Sequence, residues 1–242
     1  MVTLEAISDS LGEMGLTLRG AFHPTPEDSV PGIANGKPSL TLVLAGNVGP
    51  AMWEAFKVGR DPTVDLLDDW SEDVLCPVAK LYDGKALFPF HKPYLPFQRW
   101  AQRAEACHVS PLGMLIHAKH GLWHGYRGAL IFAERLTLPD TNTHLSPCSS
   151  CYQKPCLNTC PVGAFTPLKL GGDRVTVNYD TPNCVQHLGT PAGEDCMQLG
   201  CRARRACPEG KAARYQPEQA QFHMQAFFDA HQQKKGQTAE RR

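Results

Sequence analysis

The chain has 242 residues, with 24 Lys and Arg against 24 Asp and Glu, so it carries no formal net charge before histidine is counted. This balance argues against electrostatic capture of nucleic acid or of a membrane surface. At 42% hydrophobic and 20% charged residues the chain can bury a core, excludes bulk disorder, and suits one large domain or two small ones.

In chain order, Leu4 to Met14 has helical periodicity, and Leu40 to Leu44 is an apolar run that reads as a buried strand. Helical patterns follow over Pro50 to Val58, Val64 to Val78 and Pro96 to Ala106, and a second buried strand over Ala129 to Phe132. Alternation of this kind predicts an α/β or α+β layered domain around a central sheet. No apolar run approaches the roughly 18 residues of a membrane span, and Met1 to Gly15 lacks the basic start and apolar stretch of a secretory signal. A cytoplasmic protein without a membrane partner is expected. Past Ser146-Pro147 regular periodicity disappears until Pro217 to Gln232, where Phe222, Met224, Phe227 and Phe228 fit an amphipathic helix; Lys234 to Arg242 read as a frayed polar tail.

The break at Ser146-Pro147 is also a break in cysteine content. Of the 10 cysteines only Cys76 and Cys107 precede it, and these are expected as small buried residues. In a reducing compartment a dense thiol cluster points to metal rather than to disulfides. The first group is Cys148, Cys151 and Cys156 followed by Cys160-Pro161; the second is Cys184, Cys196 and Cys201 followed by Cys207-Pro208. Three thiolates in a close run followed by Cys-Pro resemble the two-cluster bacterial ferredoxin arrangement, in which the fourth cysteine serves the other cluster. By that symmetry Cys148, Cys151 and Cys156 pair with Cys207, and Cys184, Cys196 and Cys201 pair with Cys160, giving two 4Fe-4S clusters. Both halves hold four residues between their second and third cysteines where a ferredoxin holds two. Two four-cysteine zinc sites are the competing reading, although a terminal Cys-Pro in both halves is not a zinc-ribbon habit. Arg202, Arg204 and Arg205 either offset the charge of the second cluster or form a solvated basic turn.

No Gly-x-Gly-x-x-Gly loop, Walker loop or Asp-x-His-x-x-Gly segment occurs, which disfavours nicotinamide on a Rossmann unit. The segment Pro111-Leu-Gly-Met-Leu-Ile-His117-Ala-Lys-His-Gly121-Leu-Trp123-His-Gly-Tyr-Arg127-Gly128, ending at Leu138-Pro139-Asp140, resembles the cobalamin-processing family known as CblC. Leu16 to His23, the strand Leu40 to Ala45 and the helix from Pro50 follow that family's order. The same segment, running into Cys148, also resembles epoxyqueuosine reductase and, more distantly, the reductive dehalogenases. These proteins join a nitroreductase-like cobalamin-binding domain to a two-cluster ferredoxin module.

The resemblance implies an α+β fold: a nitroreductase-like α/β sandwich over residues 1–145, a ferredoxin-like module with two 4Fe-4S clusters over 146–212, and a terminal helix and tail over 213–242. It also implies that His117, Gly121, Trp123 and Arg127 bind cofactor, with Arg127 and Trp123 lining the cobalamin pocket. Against these roles stand a strand-end arginine paired with a carboxylate and a core tryptophan. His117, His120 and His124 would need a helix to share a metal, and Gly121, Gly125 and Gly128 argue against one. Epoxyqueuosine reductases carry an acidic proton donor in a segment corresponding to Pro89 to Pro96, and here that stretch has no carboxylate; His91 and Tyr94 are the candidate general acids.

The expected function is an iron-sulfur, cobalamin-binding oxidoreductase that reduces cobalamin and removes its upper ligand. Its electrons would come from an external donor such as a flavodoxin, ferredoxin or flavoprotein reductase. A cobalamin-dependent reductase of an organic substrate, or a non-catalytic electron carrier or cobalamin chaperone, are the alternatives. The partner is cobalamin or another small molecule, and nucleic acid is not expected.

Overall fold

The computed structural model describes residues 2–33, 36–61, 66–139, 145–169 and 175–239. The expected helix start at Val64, Asp140 at the end of its motif, and residues 240–242 of the tail lie outside the described residues. The chain divides into two compact units, Met1–Cys107 with Trp123–Leu145, and His108–Leu122 with Ser146–Arg242. The residues 108–122 thus group with the cysteine-rich part of the chain.

The first unit opens with α1 (Leu4–Glu13), capped by the Thr3 hydroxyl accepting from Ala6 N at 3.2 Å and burying Ile7 and Leu11 one turn apart. The next elements are β1 (Thr17–Phe22), β2 (Thr41–Val48), α2 (Ala51–Lys57), α3 (Leu67–Leu81), β3 (Lys85–Leu87) and α4 (Phe97–Ala104). Strands β4 (Cys107–Val109) and β5 (Leu115–His117) make a short ribbon, and β6 (His124–Phe132) returns to the first unit. The sheet order is β1-β2-β6-β3, antiparallel throughout. Strand β2 is buried at every position from Thr41 to Asn47, which is why its sequence reads as one apolar run and not as an alternation. Cys107 is buried as expected, whereas Cys76 is exposed on α3, a correction that follows from the outward face of an amphipathic helix.

Two bulges shape this sheet. On β1, Arg19 and Gly20 lie between Leu18 and Ala21, which pair with Ala45 and Val43; on β6, Arg127 lies between Tyr126 and Gly128, which pair with Gly46 and Ala45. A bulge re-aims the extra side chain, and each bulge here carries an arginine. Gly20 sits at φ +81°, and a Cβ there would stand 2.4 Å from the Ala104 carbonyl oxygen, so only glycine lets the end of α4 approach.

Arg19 is 1% exposed. Its guanidinium donates to Glu105 Oε1 at 2.6 Å, Glu105 Oε2 at 3.3 Å, the Asn47 carbonyl at 3.0 Å and His124 Nδ1 at 3.1 Å. Glu105 also accepts from the Tyr126 hydroxyl. The carboxylate's charge and burial push the Tyr126 hydroxyl and the Cys107 thiol upward, the latter to about 12.

The second unit is made of short pieces: α5 (Pro147–Ser150), α6 (Pro155–Asn158), the hairpin strands β7 (Phe165–Lys169) and β8 (Val175–Tyr179), α7 (Thr181–Leu188), α8 (Glu194–Leu199), α9 (Arg202–Arg205) and α10 (Pro217–Ala239). The hairpin stands outside the expected elements, and the final helix runs past Gln232 through residues read as tail.

Replacing Glu105 by alanine would leave a buried guanidinium without its carboxylate. The expected loss of unfolding free energy in a denaturant titration is about 3–5 kcal/mol, and an Arg19→Met, Glu105→Leu double variant should lose much less.

Candidate metal centres and active face

In the second unit each cysteine is placed by a helix start or a tight turn. The Ser146 side chain caps α5, accepting from Cys148 N at 3.3 Å, and Pro147 occupies the first helical position, where no N–H is needed. Lys154, at φ 39°, turns the chain, and α6 begins at Pro155 with Cys156 directly behind it. Cys148, Cys151 and Cys156 line one hollow together with Cys207. Cys160, Cys184 of α7, Cys196 of α8 and Cys201 line a second hollow. The two sets of four expected from the spacing are the two sets the fold brings together.

In each hollow three cysteines of one run meet the Cys-Pro cysteine of the other run. Among the described residues the three-ligand group whose atoms lie within 4.8 Å of one another is Glu105, Cys107 and His124. At Glu105, Cys107 and His124 the positive charge is already supplied, because Arg19 donates to both the carboxylate and the imidazole.

Burial, opposed in part by the Ser146 hydroxyl and reinforced by neighbouring thiols, pushes Cys148 up to about 11; burial pushes Cys201 to about 11 against donation from backbone N–H groups. Cys156, Cys184, Cys196 and Cys207 are raised chiefly by burial as well. A metal cation reverses this cost by replacing the protons. The second hollow holds more donors: Ala164 N donates to Cys160 Sγ at 3.3 Å, the Tyr179 hydroxyl to Cys184, and Arg202 and Arg205, both paired with Asp195, lie beside Cys196. Arg204 instead donates to the Leu122 carbonyl at 3.1 and 2.6 Å and lies over the Tyr215 ring.

Two of the expected cofactor ligands serve this unit's fold. His117 Nδ1 accepts from Lys119 N at 3.0 Å and His120 N at 3.3 Å, closing the turn before Gly121. Gly121 is at φ +57°, and a Cβ there would stand 2.2 Å from the Glu209 carbonyl oxygen; a Cβ on Gly210 would stand 2.1 Å from that of His120. The two segments touch backbone to backbone, which sets the turn carrying Cys207-Pro208. Leu112, Ile116 and Leu122 pack with Ala203 and Cys207 in one apolar cluster, with Cys148, Cys156, Cys160 and Cys201 against it.

In the first unit Trp123 is buried, 2% exposed, and its carbonyl accepts from Gly49 N at 3.1 Å. Arg127 is tied to α3: Nε donates to Ser71 Oγ at 2.9 Å, Nη2 to the Leu67 carbonyl at 3.3 Å, and the guanidinium pairs with Asp68. One position along α3, Glu72 Oε1 lies 2.7 Å from His91 Nε2, and the His91 ring packs edge-on against Phe88 and Phe90. Arg127 stands 6.0 Å from the Phe90 ring centre. Tyr94 is 69% exposed. Asp68, Ser71 and Glu72 share one helix face, so Arg127 and His91 converge on a common platform. The carboxylate missing from the loop is supplied by α3, and Glu72 carries no local signal that would pair it with a residue nineteen positions away.

No family model and no curated protein matches the sequence. Solved structures of epoxyqueuosine reductase do match the fold. One, in complex with an epoxyqueuosine-modified tRNA-Tyr stem loop, is 16% identical with a TM-score of 0.52, covering 89% of this chain and 69% of that one. Another, from Bacillus subtilis with its catalytic aspartate loop swung out of the active site, is 15% identical with a TM-score of 0.51, at 89% and 69% coverage. A third, from Streptococcus thermophilus, is 16% identical with a TM-score of 0.52 and the same coverage. The chain has the mixed α/β fold of these enzymes, and among its described residues no helix is long and apolar enough to cross a membrane.

In metal-free protein at pH 8 only about one in a thousand Cys148 and Cys201 thiols is ionised, since both titrate at about 11. Their alkylation by iodoacetamide, read by peptide mass spectrometry, should rise about tenfold per pH unit up to that value. The folded metal-free chain keeps thiol protons that the unfolded chain sheds from about pH 9 upward, so its stability falls as pH rises from about 9 to about 11.

Proposed function

We propose that the chain is a two-cluster iron-sulfur reductase of the epoxyqueuosine reductase type, acting on an organic substrate with cobalamin as the electron acceptor. The grouping of the eight thiols carries this reading: two hollows, each lined by three cysteines of one run and the Cys-Pro cysteine of the other, the interleaving of a two-cluster ferredoxin module. Cys148, Cys151, Cys156 and Cys207 would hold one 4Fe-4S cluster, and Cys160, Cys184, Cys196 and Cys201 the other. Such clusters supply one-electron transfer at potentials set by charge, hydrogen bonds and exposure.

Cobalamin is implied by the fold likeness and by the resemblance over residues 110–140. The residues first named for it do not form a cradle. His117 and Gly121 shape the turn that carries Cys207, Trp123 is buried in the first unit, and most of the Arg127 fork is spent on α3. No step is therefore assigned to these four residues.

Two-electron reduction of an epoxide or a similar electrophile consumes protons. His91 is the proton source in this reading, supported by the Glu72 carboxylate 2.7 Å from its Nε2, which orients the ring. Tyr94 is exposed, and its hydroxyl is left outside this assignment. The neutral chain does not by itself draw in RNA, yet one matched enzyme was captured with a tRNA stem loop, so an RNA-borne substrate enters the test.

The expected cobalamin-reducing, ligand-removing activity is the second reading. It is favoured by one observation, that residues 89–96 hold no carboxylate of their own. Removing an upper ligand needs no acid aimed at an organic substrate.

Anaerobically loaded protein should contain about eight irons and eight acid-labile sulfides. With a chemical reductant and cobalamin it should reduce an epoxyqueuosine-modified tRNA stem loop or a small epoxide over many turnovers. Glu72→Gln and His91→Gln should each slow that reduction by about 10²–10⁴ while leaving iron content unchanged. Turnover of cyanocobalamin alone, untouched by either substitution, would select the second reading.

A further inference from the structure

The two hollows differ in the charges and donors around them. Beside the first, the Glu209 N–H bonds Cys207 while the Glu209 carboxylate and Arg214 place opposite charges near it, and the Ser146 hydroxyl bonds the Cys148 thiol. Around the second stand the Tyr179 hydroxyl on Cys184 with Asp180 nearby, the Ala164 N–H on Cys160, and Asp195 with Arg202 and Arg205 near Cys196.

One further group in the second hollow lacks a protein partner. His187 lines it, and its Nε2 is buried with no hydrogen-bond acceptor. His187 follows Cys184 by three positions on α7, so both lie on one helix face. The turn after it is fixed: the His187 carbonyl accepts from Thr190 N at 3.0 Å and Thr190 Oγ1 at 2.7 Å, and a Cβ on Gly193 would stand 2.1 Å from that oxygen. A buried donor without an acceptor is destabilising, and an anionic sulfur in the hollow would satisfy it.

We propose that His187 donates an Nε2–H hydrogen bond to a sulfur of the cluster held by Cys160, Cys184, Cys196 and Cys201, and that this bond makes that cluster the more readily reduced of the two. The inference rests on the two-cluster reading above. Reduction adds one electron to the cluster, and a donor aimed at its sulfur stabilises the added charge, raising the potential. The neutral Nε2–H tautomer and the imidazolium both donate, so the bond does not depend on titration of the ring. His187 is a positioning and tuning residue; it carries no electron.

The test is an anaerobic redox titration of the full chain, followed by electron paramagnetic resonance, on wild type, His187→Leu and His187→Gln, with iron measured in each. Wild type should show two midpoint potentials. In His187→Leu the higher one should fall until the equilibrium constant for electron exchange between the clusters drops about tenfold, about 59 mV for one electron, with the lower one unmoved. His187→Gln keeps a donor and should recover most of the shift. In wild type carrying isotopically labelled histidine, the cluster reduced first should show a nitrogen hyperfine coupling, a readout that does not require a variant to fold. Full iron content in His187→Leu with both potentials unchanged, or no nitrogen coupling in wild type, overturns the proposal. Wild type that assembles no clusters overturns the two-cluster reading itself.

Discussion

Eight thiols brought out of water toward two small hollows are the constraint to which the second unit answers. Packed thiols resist ionisation, and ionised ones repel each other, so the chain must meet them with backbone donors and then with metal. Its short helices do this. Cys148 and Cys156 stand at the second position of α5 and α6, and Cys201 stands just before α9. The backbone N–H groups at a helix start have no intrahelical acceptor and are free to face sulfur. Long helices would bury those N–H groups in their own ladders; many short ones multiply the starts.

The first unit answers a different constraint with a related device. A flat antiparallel sheet would send Arg19 and Arg127 wherever strict alternation put them. One extra residue in β1 and one in β6 release each arginine from that alternation. Arg19 becomes the hub of a buried network with Glu105, His124 and Tyr126, and Arg127 ties β6 to α3 beside the His91–Glu72 pair. The sheet thus holds one arginine in a buried network and the other against the face of α3 that also carries Glu72, the partner of His91.

The thiol grouping was legible because it is written in local spacing: three cysteines in a close run and a Cys-Pro that belongs elsewhere. The buried strands were legible for the same reason, as unbroken apolar runs. What stayed hidden depends on residues far apart in sequence. Gly121 reads as part of a cofactor motif until Glu209 and Gly210 are seen against it. Glu72 is one of several acids on an amphipathic helix until His91 meets it. The β7–β8 hairpin escaped notice although Val175-Thr176-Val177-Asn178-Tyr179 alternates apolar and polar residues, because its strands are short and Pro167 interrupts the partner strand. His187 could have been found, three residues beyond Cys184 in the last turn of α7, but a lone histidine in a helical window carries little weight without the hollow it lines.

The second hollow has Met224 in its wall, contributed by α10. Cys160, Cys184, Cys196 and Cys201 all precede that helix in the chain, so during synthesis the whole set of thiols leaves the ribosome before the wall that will enclose it. A chain that stopped before α10 would therefore carry all four thiols around a hollow lacking its Met224 wall.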